Sequence, residues 1–317
     1  MKVILSVTVD VDNDDMTTNG NRSGDRWASI ASIPSISAIF ERENTPATWF
    51  VRADRQIKLN YGSTAHFLNN HDLMWRHLES KGNEIAWHPH LYARTENGQF
   101  VPEYEDEACK EQLISSYSDI CDTGWKMYSA RIGEAFGSNA ITATLRSLGL
   151  EADSTAIPGR HRSPLNKQLD WRLTPNLPYI QDPNDYRVST RRHPDAPLVQ
   201  VPMTTVPIQA EYDVGPIQRY INLTYRPEIL LDRLRRHLDA LEQESSTLAW
   251  VTTILHPDEV IPRPTRHALY AFDISAVQAN LRGLIRYVVS RGWEIECTTI
   301  RQSAGMARQM YHSRESS

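Results

Sequence analysis

Three short stretches of the sequence concentrate side chains that bind metals or move protons. They are Val9-Asp10-Val11-Asp12-Asn13-Asp14, Trp87-His88-Pro89-His90 and Ile254-Leu255-His256. The first closes an apolar, β-branched run, and alternation along a strand puts Asp10 and Asp12 on one face. Carboxylates so close raise one another's pKa, so a protein rarely pairs them without a cation or a proton to share. His88 and His90, two residues apart on extended chain, point to the same side, the geometry in which two imidazoles meet one metal ion. With one carboxylate from the first stretch they make a two-histidine, one-carboxylate set that leaves positions open for water and substrate, which is a catalytic rather than a structural design. Taken singly, a D-x-D is more often a solvated acidic turn, and a lone histidine more often structural. Asp14 stays open as a further ligand.

The elements that must position these residues alternate. Residues 2–9 read as a buried strand, 27–43 as a helix with apolar spacing, 47–51 as a strand, 67–81 as a helix stopped by Gly82, and 84–87 as the strand that delivers His88 and His90. The rhythm continues with helices at 105–122, 135–148, 227–244 and 273–291, a last helix to about 309, and extended segments at 125–130, 150–153, 198–206, 248–255 and 293–297. Alternating strand and helix implies a parallel sheet covered by helices, doubly wound or closed as a barrel. In both architectures the chemistry sits at the carboxyl ends of the strands. Arg131 and His256 follow predicted strands, so they join the same rim as the aspartates and histidines. No linker or composition shift divides the chain, and residues 1–317 read as one domain.

Composition removes several classes of function. Of 317 residues, 40% are hydrophobic and 23% charged, ordinary globular values. The 34 basic and 39 acidic residues give a net charge of −5 without long runs, which gives nucleic-acid binding no support. Three cysteines, Cys109, Cys121 and Cys297, form no disulfide framework and no C-x-x-C pair. No apolar run reaches the roughly 18 residues of a membrane-spanning helix. The first residues read as a strand rather than a signal peptide, so a cytoplasmic location is expected.

The order of the motifs resembles the polysaccharide deacetylase family (NodB homology, carbohydrate esterase family 4), in a D-x-D and H-x-H variant. That family has a first strand ending in two aspartates, a G-H-E-I strand leading to two metal histidines, an arginine motif, a D-W element and a late strand ending in L-x-H. The counterparts here are Thr8-Val9-Asp10-Val11-Asp12, Gly82-Asn83-Glu84-Ile85-Ala86-Trp87-His88, Arg131, Asp170-Trp171 and Leu255-His256. The likeness runs from residue 3 to about residue 300. It departs where Val11 separates the aspartates, where Asn83 replaces a histidine, and where Arg131-Ile132-Gly133-Glu134 replaces R-x-P-Y. Tyr92 falls where the family's second histidine would be, so either His90 takes its place or the site has one histidine fewer.

The resemblance implies a distorted, incomplete (β/α)7-8 barrel and metal-dependent hydrolysis of an N-acyl group from an amino sugar, most often with zinc. On this likeness Asp12, His88 and His90 hold the metal, Asp10 is the general base, and His256 is the general acid. Arg131 orients the base, and Asp170 orients the acid or the arginine. Residues 154–197 contain seven prolines and few periodic apolar positions, and a loop this long inside a compact domain is usually functional. Its Arg160, His161, Arg162, Trp171, Tyr179 and Tyr186 suit a lid or substrate wall, with rings stacking on sugar faces and arginines pairing with phosphate or carboxylate. Trp171, Arg160, His161 and Tyr92 are therefore the expected substrate contacts. The expected partner is an acylated amino sugar, nucleotide- or lipid-linked, made for surface polysaccharide. Two other readings remain: hydrolysis of a small cyclic ureide or imide, and an inactive relative that binds glycan. Metal identity and oligomeric state, a homo-oligomer included, stay open.

Overall fold

The computed structural model describes residues 1–14, 27–162, 169–190, 198–264 and 266–315. Parts of the long proline-rich segment, residues 163–168 and 191–197, lie outside the described residues. The strand Lys2–Val11 is the spine of the sheet. It is buried along nearly its whole length, as a parallel strand covered on both faces should be, apolar from Val3 to Leu5 and alternating polar and apolar after it. Leu248–Leu255 pairs with it in parallel along one edge, from Lys2 opposite Leu248 to Val9 opposite Leu255. Its other edge is shared: Glu294–Cys297 pairs with residues 2–5 and Ala47–Arg52 with residues 7–11. From Ala47–Arg52 the sheet runs on through Glu84–His88, Ser129–Ala130, Ala152–Asp153 and Val199–Gln200, all parallel, to Tyr179–Ile180, which is antiparallel.

The sheet curls but does not close through a ladder. Between its ends the chain is irregular, and Thr204 N–H donates to Thr252 O at 3.0 Å while Thr204 Oγ1 accepts from Thr252 N–H at 2.9 Å. The result is the distorted, incomplete α/β barrel that the family resemblance implies, where alternation alone left a doubly wound sheet equally open.

Alternation divides each strand between two environments. Val3, Leu5, Val7, Val9 and Val11, with Trp49, Val51, Ile85 and Trp87 of the neighbouring strands, join the main core with apolar residues of the helices. Phe50, Ala86 and Ala152 face the other way and pack with Ile300, Ala304 and Ala307 of the helix Ile300–Glu315. Ser6, Thr8, Asp10 and Asp12 lie on this inner face, polar and buried. Ser6 is held by the hydroxyls of Thr298 and Ser303.

The observed helices follow the predicted ones with local breaks. Residues 67–81 form two helices, His66–Asn70 and Asp72–Ser80, with His71 non-helical between them. The segment 27–43 begins as a 3-10 turn, Ala28–Ser32, before the helix Ile33–Arg42. Two features lack a local periodic signal: the helix Arg55–Tyr61 and the hairpin of Thr205–Ile208 with Ile217–Tyr220. Asp54 starts that helix, its Oδ1 accepting from Ile57 N–H at 2.9 Å. Its Oδ2 accepts from Arg52 Nε at 2.9 Å and from His90 N–H at 3.0 Å. One buried carboxylate thus ties a helix start, a strand end and the second histidine together.

Asp54→Ala removes this tie and leaves the buried Arg52 short of a partner. The expected cost is about 1–3 kcal/mol of stability, measured by urea unfolding, because Arg52 keeps Asp12 while the buried His90 N–H, Arg52 Nε and the helix start each lose an acceptor.

Candidate metal and proton-transfer site

Every functional position predicted at a strand end reaches one cleft, of about 870 Å³, at the carboxyl side of the sheet. Asp10, Asp12, His88, His90, Arg131 and His256 all line it. Asp12, His88 and His90 are buried, and one donor atom from each lies within 4.8 Å of the others. Asp12 Oδ2 is 3.0 Å from His90 Nε2, which is 3.2 Å from His88 Nε2.

The surroundings aim these donors inward. His88 Nδ1 lies 2.7 Å from Arg131 O, and a carbonyl only accepts, so Nδ1 carries the proton and Nε2 offers its lone pair. Tyr92 OH donates to Glu134 Oε1 at 3.1 Å, so its oxygen receives His90 Nδ1–H at 3.2 Å and leaves Nε2 free. Asp12 Oδ1 accepts from Arg52 Nη1 and from Asn13 N–H, so Oδ2 alone faces the histidines. Gly133 packs so closely that a Cβ there would stand 2.2 Å from the His90 ring. A buried set of two imidazole nitrogens and one carboxylate oxygen, each side chain with its outer atom engaged, fits a divalent metal ion. Burial lowers the His88 pKa to about 4, which keeps its nitrogen available. Burial opposes the ionised form of Asp12, yet Arg52 and His90 outweigh it and hold the carboxyl well below its ordinary range.

Asp10 stands beside this set. Arg131 Nη1 donates to its Oδ1 at 2.6 Å, while its Oδ2 lies 3.9 Å from His88 Nε2 and 4.0 Å from His256 Nε2. Against the effect of burial, Arg131 and the two histidines keep the Asp10 carboxyl below its ordinary pKa. Arg131 is itself immobilised by Thr8 Oγ1, Ser154 O and Ser154 Oγ.

His256 is held from behind by Glu259. Nδ1 lies 3.2 Å from Glu259 Oε1, and His256 N–H donates to Oε2 at 2.9 Å. Asn222 Nδ2 and Thr224 Oγ1 also donate to Glu259. Burial alone would lower the His256 pKa, but Glu259 and Asp10 reverse this and raise it to about 10. The imidazole is therefore a protonated acid near neutrality.

Other predicted residues lie elsewhere. Asp170 does not meet His256 or Arg131: both its oxygens bind Arg172, Arg187 adds a contact at 3.3 Å, and the Arg172 bonds hold the carboxyl below its ordinary pKa. Trp171 is fully buried behind the cleft wall, its Nε1 donating to Ala135 O at 2.9 Å. His161 is exposed and does not line the cleft, whereas Arg160 and Tyr92 do. Asp14 accepts from Ser29 N–H rather than joining the metal set. The residues missed are Glu259, Arg52, Asp54 and Gly133. Glu259 had a signal, since an acid three residues after a turn-starting position is the spacing of a capping box.

The cleft wall carries strain and aromatic surface. Glu134 and Ala135, both at its edge, are left-handed at φ 59° and 54°, which is costly for residues with a side chain. Trp27, Tyr61, Tyr104 and Phe136 also face the cleft.

No family model and no curated protein matches this sequence. Solved structures do. One, from Mycobacterium smegmatis and described as a polysaccharide deacetylase, is 17% identical over 97% of this chain and 91% of its own, with a TM-score of 0.55. A second, PuuE allantoinase, is 15% identical over 95% of this chain and 89% of its own, with a TM-score of 0.56. The fold is NodB-like. At these identities the likeness concerns the path of the chain, and the chemistry rests on the residues above.

Glu259→Gln should lower the His256 pKa from about 10 towards 6.5, as read by NMR titration of the imidazole. A raised folded-state pKa gives stability that is complete below about pH 6.5 and lost as pH rises to about 10. The wild type should therefore lose stability across that window, and the variant should show a flatter curve. An imidazole pKa unmoved by the substitution would exclude this pairing.

Proposed function

We propose that the protein is a metal-dependent hydrolase that removes an N-acyl group, acetyl or formyl, from an amino sugar. The observation that carries this reading is the pairing of a buried Asp-His-His set with an ionised Asp10 on one side and a protonated His256 beside it. Two titratable groups pushed apart in pKa at one spot are what base-then-acid chemistry needs.

The chemistry a divalent ion supplies in such a site is Lewis acidity, polarising the acyl carbonyl and making water a better nucleophile. Zinc suits the donor set, two imidazole nitrogens and a carboxylate oxygen. Asp10 Oδ2, the oxygen not engaged by Arg131, takes the proton as water attacks the carbonyl carbon. Arg131 fixes the direction of Asp10 and keeps it ionised. His256 Nε2–H then protonates the nitrogen, the C–N bond breaks, and a carboxylate and a free amine leave. Glu259 stabilises the imidazolium before transfer and holds the ring in line. Trp27, Tyr61, Tyr104 and Phe136 offer rings to the apolar face of a sugar.

Among the described residues no helix is long and apolar enough to cross a membrane. A cytoplasmic precursor of surface polysaccharide, nucleotide- or lipid-linked, is the substrate we favour. The second reading is hydrolysis of a small cyclic ureide, supported by the fold shared with PuuE allantoinase; the same base and acid would serve it.

The first test is metal analysis of untagged protein beside His88→Ala/His90→Ala. About one equivalent of divalent metal, lost in the variant, is expected; a wild-type site that cannot be loaded would make the chain an inactive binder. A second test separates the acid. His256→Ala should slow amide hydrolysis about 10²–10⁴-fold while affecting an activated ester far less, because that leaving group needs no proton. Equal losses on both substrates would remove His256 as the acid.

A further inference from the structure

The charged groups at the floor of the cleft are already paired. Arg131 meets Asp10, Arg52 meets Asp12 and, behind it, Asp54, and His256 meets Glu259. These pairs call for no further arginines.

Two more nevertheless face the cleft. A small hairpin pairs His161 with Asp170 and Arg162 with Leu169, and Trp171 N–H donates to Arg160 O. Alternation then sends Arg160, Arg162 and Leu169 to the cleft and turns His161 and Asp170 away from it. Gly159, at φ 75° and against the Gln218 side chain, makes the turn that seats Arg160 on the neighbouring hairpin. There Arg160 Nη1 donates to Gln218 O at 3.0 Å, a neutral partner that fixes the guanidinium without discharging it. Among the described residues, the carboxylate near Arg162 is Glu134 at 3.7 Å, in an exposed contact. The nearby Asp213 is already met by Arg219 through both oxygens at 2.8 Å. Among the described residues, Arg160 thus presents its charge to the cleft against a neutral carbonyl, and Arg162 against one exposed carboxylate contact.

We propose that Arg160 and Arg162 form an oxyanion subsite, and that the substrate carries an acidic group, phosphate or carboxylate, besides its acylamide. The subsite rests on the deacylase reading for the identity of the rest of the ligand. Guanidinium groups pair with both oxyanions through charge-assisted, often two-pronged, hydrogen bonds. Alternation puts both side chains on the cleft side, so one acidic ligand in the cleft can draw on either.

The test is calorimetric binding to the zinc-loaded protein of three sugars: N-acetylglucosamine, its 1-phosphate and N-acetylmuramic acid. At least one acidic sugar should bind about tenfold or more tightly than the neutral one, with an advantage that shrinks as salt rises. R160Q/R162Q should abolish the advantage and R160K/R162K should keep part of it; R162Q alone, at an exposed position, should lose part of it. Which acidic sugar gains tells phosphate from carboxylate. Equal affinity for all three, no binding of any, or an acidic advantage that survives in R160Q/R162Q would overturn the subsite, the last because the anion would then be meeting the metal. Hydrolysis of the same sugars is followed separately: arginine-dependent binding without turnover keeps the subsite and removes the deacylase, and turnover without acidic preference does the reverse.

Discussion

Two carboxylates two residues apart at the buried end of one strand repel each other, and the rest of the site is arranged around making that tolerable. Each has its own arginine: Arg131 on Asp10, and Arg52 on Asp12. Both arginines come from the same side of that strand along the sheet, Arg52 from the adjacent strand and Arg131 from beyond the strand that ends in His88. Because each arginine binds one oxygen, it also selects which oxygen of its partner faces the cleft. Asp12 is left with Oδ2 towards the histidines, and Asp10 with Oδ2 between His88 and His256. The same pair of interactions that stabilises the strand end thus divides labour between two chemically identical side chains. Removing either arginine would do more than lose an ion pair, since a buried carboxylate without one tends to take up a proton.

A second layer fixes the arginines and imidazoles in turn. Asp54 serves Arg52 and His90, Ser154 and Thr8 serve Arg131, and Asn222 and Thr224 serve Glu259 behind His256. These contacts join segments far apart in sequence, so the site is only as rigid as the sheet that gathers them. Preorganisation of this kind lets charge move during reaction without first reorganising the surroundings.

Much of this was legible in the sequence, and the division between what was and what was not has a physical basis. The strand at 248–255 was read with its true bounds because eight apolar and β-branched residues end abruptly in His-Pro. Asp10, Asp12, His88, His90, Arg131 and His256 were found because strand ends of a parallel sheet share one rim, so order along the chain predicts proximity. Asp170 was placed with them from motif order alone. Which face of a two-residue strand it occupies depends on the pairing of His161 with Asp170, and neither residue announces that pairing locally. Arg52 and Asp54 were missed for a related reason: each is unremarkable until a distant partner arrives. The short strands at 129–130 and 152–153 are held by neighbours on both sides rather than by their own propensity, so the longer extended segments read there shrank to two residues each.

The way the first strand is flanked bears on how the chain comes to be folded. Lys2–Val11 carries the aspartates, yet its ladder partners on one side are residues 248–255, and on the other residues 294–297 share the edge with 47–52. During synthesis that strand therefore waits, with one edge bare, until residues 248–255 have left the ribosome. Contacts between such distant parts of a chain are slow to form, and an exposed apolar strand is prone to pair with the wrong neighbour in the meantime. The segment that carries the aspartates is made well before the strands that secure it, so assembly of the candidate site is a late event that reports on completion of the whole sheet.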